Sequence, residues 1–255
     1  LGADASHANA AARAIMTTDS EPKEVVAEAD GYIVGGMAKG AGMIRPDLAT
    51  MLVVLTTDAV VTAPVLDGAL RTAVDHSFHA LNVVGCPSTN DTVIVMASGA
   101  SGVSPEPEDL AAILTAASVD LARHIAADGE GASRVGTKGV TGTATDAAAR
   151  SIGRRVADSA LVRSSFYGAD PNWGRIVGAL GEVDEEVDFD DLTIAFAGTT
   201  VTRAGVGVRI DVDAVSEALT GDFGVTICVG DGPGTARVFT TDLTPDYVRF
   251  NAERS

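Results

Sequence analysis

The sequence predicts an α+β protein in which helices pack on sheets. Short apolar runs such as Met51–Leu55 and Thr92–Ala97 are bounded by polar or glycine-rich segments, which is typical of buried strands. Between them lie longer segments whose apolar residues recur at helical spacing, as in 110–125. Strands that alternate with helices and hairpins favour layered packing. With 255 residues, the chain is long enough to bury a sizeable core, in one large domain or two smaller ones.

Each element has a local signal. Alanine-rich stretches at 5–18 and 146–158 indicate helices, and Pro64, Pro105 and Pro107 stand where prolines commonly begin helices. The expected order is helix 5–18, strand 32–36, strand 51–55, helix 64–81, strand 92–97, helix 105–125, strand 134–142, helix 146–158, a short helix ending at 180, strand 192–198, helix 212–219, and strands 223–229 and 235–241.

Composition excludes several classes of function. The formal net charge of −17 disfavours nucleic acids and anionic membranes as partners, because both would repel the chain. Two cysteines, Cys86 and Cys228, form neither a disulfide framework nor a zinc site, which suggests a reducing, cytoplasmic setting. No uninterrupted run of roughly 18 apolar residues and no signal peptide is evident.

A threonine at the head of a predicted strand has the strongest chemical signature. Thr50 stands between the glycine-rich segment Lys39–Gly42 and the apolar run Met51–Leu55. If the chain were cut between Ala49 and Thr50, the new α-amine would lie beside the threonine hydroxyl. An α-amine has a pKa of ~7.7–8.0, so part of it is neutral at physiological pH and takes the hydroxyl proton. Thr50 would then supply both nucleophile and base; the alternative is an ordinary β-branched strand residue or cap.

A series of motifs spans nearly the whole chain in order. They are AIMTTD at 14–19, KGAGMIRPDLATML at 39–52, STND at 88–91, DGEG at 128–131, DPNWGR at 170–175 and the segment 247–251. Together they resemble the ornithine acetyltransferase (glutamate N-acetyltransferase) family, whose members split themselves at an Ala-Thr bond. The resemblance implies an αββα sandwich of the N-terminal-nucleophile-like type, with a smaller C-terminal α/β subdomain.

The resemblance also implies a division at the cleavage site. Residues 1–49 would be the C-terminal part of an α chain and 50–255 a β chain, with a nucleophile-bearing region at 50–185 and the C-terminal subdomain at 192–255. The acidic segment Glu182–Asp191 would mark that inner boundary. In the family a further segment precedes the position of Leu1 and carries a Thr-Gly oxyanion-hole pair, so the chain is expected to be a fragment.

Six substrate contacts follow from the resemblance. They are Thr17, Lys39, Thr50, Glu130, Asn251 and Ser255, with Ala49 and Thr50 flanking the cleaved bond. Lys39 would pair with a carboxylate, since ornithine and glutamate both carry one, and Glu130 would suit the cationic amine of ornithine. Thr17 is favoured over its neighbour Thr18. The family usually has an aromatic residue between the asparagine and the terminal hydroxyl residue; this chain has none, and that departure bears on Ser255.

The implied activity is transfer of an acetyl group from N2-acetylornithine to glutamate through an acetyl-threonine intermediate, in arginine biosynthesis. No metal or organic cofactor is implied, and whether acetyl-CoA also serves as a donor is left open. The implied partners are these small molecules and the two chains of one precursor, assembled as an α2β2 heterotetramer. Three alternatives share the scaffold: an amidohydrolase or aminopeptidase, an acetyltransferase of secondary metabolism, and a binding subunit in which Thr50 is never freed.

Two further patterns have simpler interpretations. The glycine-rich segment Gly230–Gly234 lies between two predicted strands, which favours a hairpin turn over a dinucleotide-binding loop. His76 and His79 share a predicted helix, but the sequence places no third ligand to complete a metal site, so both are interpreted as surface histidines.

Overall fold

The protein divides into two compact units, Leu1–Gly129 and Glu130–Ser255. The structure, a computed structural model, describes residues 4–42, 51–83 and 91–253. Ala49, Thr50, Ser255 and Cys86 therefore lie outside the described residues. The predicted α+β class is confirmed, because each unit combines helices with a sheet.

The first unit is built on a four-stranded sheet in the order β1–β2–β3–β5. Its elements are α1 (Ala5–Ala14), β1 (Lys23–Ala29), β2 (Tyr32–Lys39), β3 (Leu52–Thr57), α2 (Ala63–His76), a 3₁₀ turn (Phe78–Ala80), β4 (Leu81–Asn82), β5 (Thr92–Ala97) and α3 (Pro107–Ala127). Strands β1, β2 and β3 pair antiparallel, whereas β5 pairs parallel to β3. The crossover that a parallel pair requires contains α2.

Helix α3 covers one face of this sheet. Helix α3 packs on α2, β1 and β2 and buries Leu110, Leu114 and Leu121 completely. Strand β3 alternates, with Val53 and Leu55 buried and the residues between them less so, as expected for a strand covered mainly on one face. The sheet therefore holds β3 in its interior, between two neighbouring strands.

Helix α3 is also the one stretch among the described residues that is long and apolar enough to cross a membrane by length and composition. Its apolar side chains, however, are used inside the first unit, where Leu121 and Ile125 have no exposed surface. A buried helix of a water-exposed domain passes the same test, so this helix is interpreted as a core element.

The second unit contains six strands in the order β11–β6–β10–β7–β8–β9. Its elements are β6 (Val135–Gly142), α4 (Asp146–Asp158), α5 (Ala160–Tyr167), α6 (Trp173–Leu180), β7 (Thr193–Phe196), β8 (Thr199–Arg203), β9 (Val206–Gly207), α7 (Val212–Ala218), β10 (Phe223–Cys228), β11 (Gly232–Thr241) and α8 (Pro245–Glu253). Strands β6 and β10 are parallel, and the other pairs are antiparallel. Phe166 lies at the core, with its ring centroid 4.5 Å from that of Phe223 and 6.4 Å from that of Phe196.

Two sequence expectations differ from this topology. The units divide at Gly129, and the acidic segment Glu182–Asp191 lies within the second unit, because β6 pairs directly with both β10 and β11. Residues 130–181 and 192–255 thus share one sheet. The predicted hairpin at Gly230–Gly234 is wrong for the same reason, since β6 lies between the two strands that this segment connects.

Local boundaries also shifted. The first helix ends at Ala14, where the sequence suggested 18, and the structure adds β1 and α5, which the sequence analysis missed. The strand at 92–97 and the helix at 146–158 agree with the sequence prediction at both ends. The α4 start is explained by Thr145, whose side chain accepts a hydrogen bond from Ala148 N–H.

A lysine is buried in the core of the second unit. Lys138 in β6 has no exposed surface, and its Nζ has no hydrogen-bond partner among the described residues. The ammonium position lies 4.7 Å from the ring centroid of Phe166. Burial, followed by the charge of Arg163, lowers the pKa of Lys138 well below its usual value, against the opposing charge of Asp158. Folding therefore shifts Lys138 toward the neutral amine relative to the unfolded chain.

Replacing Lys138 with methionine should increase the free energy of unfolding at pH 7. The Lys138 Nζ is a buried polar group without a hydrogen-bond partner among the described residues, which costs on the order of 1–3 kcal/mol. Because its pKa is lower in the folded than in the unfolded chain, the parent gains stability as pH rises toward the unfolded value of ~10.4. The advantage of Lys138→Met should accordingly shrink between pH 7 and pH ~10 in urea-unfolding measurements.

The exposed Arg71→Met substitution is the control for loss of a positive charge. Arg71→Met should change the free energy of unfolding far less at pH 7, and its difference from the parent should not shrink in the same way between pH 7 and pH ~10. A Lys138→Met protein that is less stable than the parent at pH 7 would mean that the lysine is charged and compensated in the core.

Candidate active site

The residue that follows Thr50 is held between two neighbouring strands. Met51 is buried, and its N–H donates to Asp91 Oδ1 over 2.7 Å, while its carbonyl accepts from Thr92 N–H over 3.0 Å. On the other side, Lys39 at the end of β2 is the register partner of Leu52. The start of β3 is thus fixed by hydrogen bonds, and this constraint reaches the residue next to Thr50.

Asp91 is the most perturbed carboxyl group in this region. Burial raises its pKa from 3.8 to about 6, although the Met51 N–H and the positive charge of Lys39 act in the opposite direction. Asp91, the last residue of the STND motif, therefore holds the strand start and has a pKa raised to about 6.

The glycine after Lys39 leaves the sheet in a conformation that favours glycine. Gly40 has a φ of 145°, and its N–H donates to Asp19 Oδ1 over 2.6 Å. The second oxygen of Asp19 accepts from Thr17 N–H over 3.1 Å. One carboxylate therefore ties the turn that carries Thr17 to the peptide that follows Lys39.

In the second unit, Glu130 lies on a tight turn beside α8. Gly131 has a φ of 68°, and a Cβ there would lie only 2.3 Å from the backbone nitrogen of Tyr247. The Thr244 hydroxyl donates to the Gly131 carbonyl and accepts from Tyr247 N–H. Asn251 is exposed one helical turn later, with its amide donating to the Tyr247 carbonyl over 3.0 Å.

The predicted site residues thus form two groups. Thr17 and Lys39 are linked through Asp19 within the first unit, while Glu130 and Asn251 belong to contacting segments of the second unit. The structure adds contacts that the sequence analysis missed, made by Asp19, Lys23, Asp91 and Asp128. In the sequence, the one feature that could have pointed to these four residues is their position inside or beside the recognised motifs.

The DPNWGR motif, residues 170–175, makes structural contacts within the second unit. The Asn172 side chain caps α6 by accepting from Arg175 N–H, and the Arg175 guanidinium donates to the Leu161 carbonyl over 2.7 Å. Trp173 packs against the core of the second unit. The motif therefore connects α5 and α6, and no reacting group is required of it.

Comparison with known proteins gives a consistent result. A model of the ArgJ family matches residues 2–255. The chain is 45% identical over 246 residues to the arginine biosynthesis bifunctional protein ArgJ of Thermobifida fusca (strain YX), covering 96% of this chain and 63% of the relative. It is also 45% identical over 246 residues to the protein of the same name from Mycobacterium leprae (strain TN), covering 96% of this chain and 60% of the relative. The chain therefore spans less than two thirds of the length of these curated relatives.

The fold agrees with a solved structure. The crystal structure of the arginine biosynthesis bifunctional protein ArgJ from Bacillus halodurans matches with a TM-score of 0.74 and 34% sequence identity. The match covers 78% of this chain and 96% of that chain. The α+β fold predicted here is therefore also that of the solved protein.

Replacing Asp91 with asparagine should change how stability depends on pH. Asparagine keeps an oxygen for the Met51 N–H but does not titrate. Because the pKa of Asp91 is raised to about 6 in the folded chain, its favourable contribution is present below ~3.8 and is lost as pH rises through about 6. The melting temperature of Asp91→Asn relative to the parent should therefore increase from pH 4 to pH 8.

Asp67→Asn, which removes an exposed carboxylate paired with Arg71, controls for the loss of a negative charge. Differential scanning calorimetry at several pH values provides the comparison. A melting-temperature difference for Asp91→Asn that stays constant across this range would contradict the raised pKa.

Proposed function

Because the chain belongs to the ArgJ family, we propose that the protein is a self-cleaving acetyltransferase that moves an acetyl group from N2-acetylornithine to glutamate. The family match over 2–255 is the observation that carries this proposal. Cleavage between Ala49 and Thr50 would leave Thr50 as a new N-terminus, directly before the fixed start of β3. The catalytic group would then stand on a rigid element, as nucleophilic catalysis requires.

The proposed reaction has two half-reactions. In the first, the Thr50 hydroxyl oxygen attacks the acetyl carbonyl carbon of acetylornithine, and the Thr50 α-amine takes the hydroxyl proton. The C–N bond then breaks, and the proton passes to the leaving nitrogen of ornithine. In the second, the glutamate amine attacks the carbonyl carbon of the threonine ester. The Thr50 α-amine takes a proton from the glutamate nitrogen and passes it to the Thr50 oxygen, which leaves as a hydroxyl when the C–O bond breaks. Atoms and charges balance without a metal or organic cofactor.

The substrate contacts remain those implied by the resemblance. Lys39 is proposed to pair with the substrate carboxylate, and its place opposite Leu52 keeps its backbone near the start of β3. Thr17 is joined to the same region through Asp19. Glu130 is proposed to bind the ornithine side-chain amine. Asn251 and Ser255 are proposed as further substrate contacts.

The closest alternative is an amidohydrolase on the same scaffold, in which water replaces glutamate in the second half-reaction. Turnover of acetylornithine with and without glutamate separates the two, because hydrolysis releases acetate in place of N-acetylglutamate. Replacing acetylornithine with acetyl-CoA tests the second donor. The predicted α2β2 assembly is a further part of this proposal and is tested by the mass of the native complex.

Substitution of Thr50 should separate cleavage from folding. Thr50→Ala lacks a hydroxyl, so we expect an intact chain and a loss of acetyl transfer of roughly a thousandfold or more. Thr50→Ser keeps both the hydroxyl and, once freed, the adjacent amine, and should retain part of both activities. Intact-mass analysis of the complete protein measures cleavage, and acetylornithine turnover measures transfer.

The control is circular dichroism of all three proteins, which should show the same helix and strand content. Acetyl transfer by Thr50→Ala close to the parent rate, or a fully active parent that is not cleaved, would contradict the proposed mechanism.

The pH dependence of transfer should identify the general base. If the base is the Thr50 α-amine, the transfer rate should fall on the acidic side of its pH profile with an apparent pKa at or below ~7.7–8.0, the unperturbed value of an α-amine. We call this fall in rate the acidic limb. Lys39→Met removes a positive charge and should move this limb upward. Asp91→Asn removes a negative charge close to the strand start and should move it downward.

Opposite shifts in the two variants, measured from acetylornithine turnover at saturating substrate, are the expected result. If the limb instead disappears in Asp91→Asn, the titrating group is Asp91, whose pKa is about 6. If neither variant moves the acidic limb, neither Lys39 nor Asp91 lies close enough to the base to change its pKa.

A further inference from the structure

Three charged side chains far apart in sequence meet inside the first unit. Lys23 Nζ lies 2.7 Å from Asp19 Oδ1 and 2.5 Å from Asp128 Oδ2. The Lys23 side chain is 1% exposed, and those of Asp19 and Asp128 are 0% and 7% exposed. We call these three residues the ionic clamp.

The lone pairs of the clamp carboxylates that Lys23 does not use are directed at backbone and hydroxyl donors. Asp19 accepts from the N–H groups of Thr17 and Gly40, and Asp128 accepts from both the N–H and the hydroxyl of Ser20. Burial would raise the pKa of Asp19, yet the Gly40 N–H and Lys23 together hold it below its usual value. Both oxygens of the Asp19 carboxylate therefore accept hydrogen bonds, Oδ1 from Lys23 and Gly40 and Oδ2 from Thr17.

The clamp joins segments that the proposed function uses. Asp19 binds the turn that carries Thr17 and the peptide that follows Lys39. Asp128 ends α3 two residues before Glu130 in the chain. Lys23, the first residue of β1, holds the two carboxylates together. Thr17 donates to Asp19, Lys39 precedes the residue that donates to Asp19, and Glu130 follows Asp128 by two residues.

Stability alone does not account for such a group. Desolvation of buried charges offsets their attraction, and replacement by apolar residues of similar volume is often neutral or stabilising. An apolar cluster, however, offers no acceptor for the N–H groups of Thr17 and Gly40. What the charged cluster uniquely supplies is a defined position for these two backbone groups.

We propose that Asp19, Lys23 and Asp128 are positioning residues for the transfer reaction, which fix the Thr17 turn and the Lys39–Gly40 peptide so that both contact the amino-acid substrate. This inference rests on the proposed function and deepens it. In this proposal the three residues act through the segments they hold and not on the reacting atoms. Their loss should weaken substrate binding more than it slows the chemical step at Thr50.

Asp19→Asn is the most specific test. An amide presents one oxygen and one NH₂, so it accepts from only one of the two N–H groups and repels the other. We expect the KM for acetylornithine to rise roughly tenfold or more, since a hydrogen bond to a charged group is lost on a binding segment. The kcat should change much less. Lys23→Met should raise KM in the same way, and Lys23→Arg should restore part of the affinity.

Asp58→Asn is the matched control. Asp58 accepts from Ile33 N–H over 2.8 Å near the other end of β2, so it fixes the same strand without reaching the proposed site. Its KM should stay near the parent value even if its melting temperature falls by as much as that of Asp19→Asn. Equal increases in KM in the two variants would overturn the proposal and leave the clamp a purely structural group.

Hydrogen exchange makes the test independent of activity. The amides of Thr17 and Gly40 should both be protected in the complete parent protein without substrate. In Asp19→Asn at least one of them should lose protection, whereas the amide of Ile33 should respond only to Asp58→Asn. If the parent transfers no acetyl group, the proposed function fails and this pattern alone decides whether the clamp holds its segments. Unprotected Thr17 and Gly40 amides in an active parent would overturn the clamp and leave the proposed function standing.

Discussion

The hydrogen bond between Met51 N–H and Asp91 is the constraint on which the proposed chemistry at Thr50 depends. It fixes the first residues of β3 against β5, while the pairing of Lys39 with Leu52 fixes them against β2. A strand held on both sides moves little, so a reactive group directly before it is pre-positioned. The proposed nucleophile needs this rigidity because its own amine and hydroxyl must share one geometry.

The sheets were only partly predictable from the sequence. The strand at 92–97 and the helix at 146–158 were predicted at both ends because their signals are local. Strand β1 was missed because the glutamates of KEVVAEA interrupt the apolar pattern and give it the composition of a loop. The place of β6 between β10 and β11 depends on pairing between residues about ninety positions apart, which periodicity does not report.

The candidate site likewise has one part that local sequence predicts and another that only the folded chain reveals. The Thr50 signal is local, since it requires only a hydroxyl before an apolar run and a recognisable motif. The clamp is not local, because Asp128 lies 105 residues beyond Lys23 and only the folded chain brings them together. Its three members stand in or beside recognised motifs, yet their spacing gave no indication of contact. Sequence therefore identified the proposed reacting residue, and structure identified the groups that hold its surroundings.

The most direct test of the account is to locate the acetyl group during turnover. The complete protein is mixed with acetylornithine in the absence of glutamate, quenched in acid, digested and analysed by mass spectrometry. The account predicts one acetyl group on the peptide that begins with Thr50, on its side-chain oxygen, and loss of that group when glutamate is added before the quench. An acetyl group on any other residue, or turnover with no acetylated peptide, would contradict it.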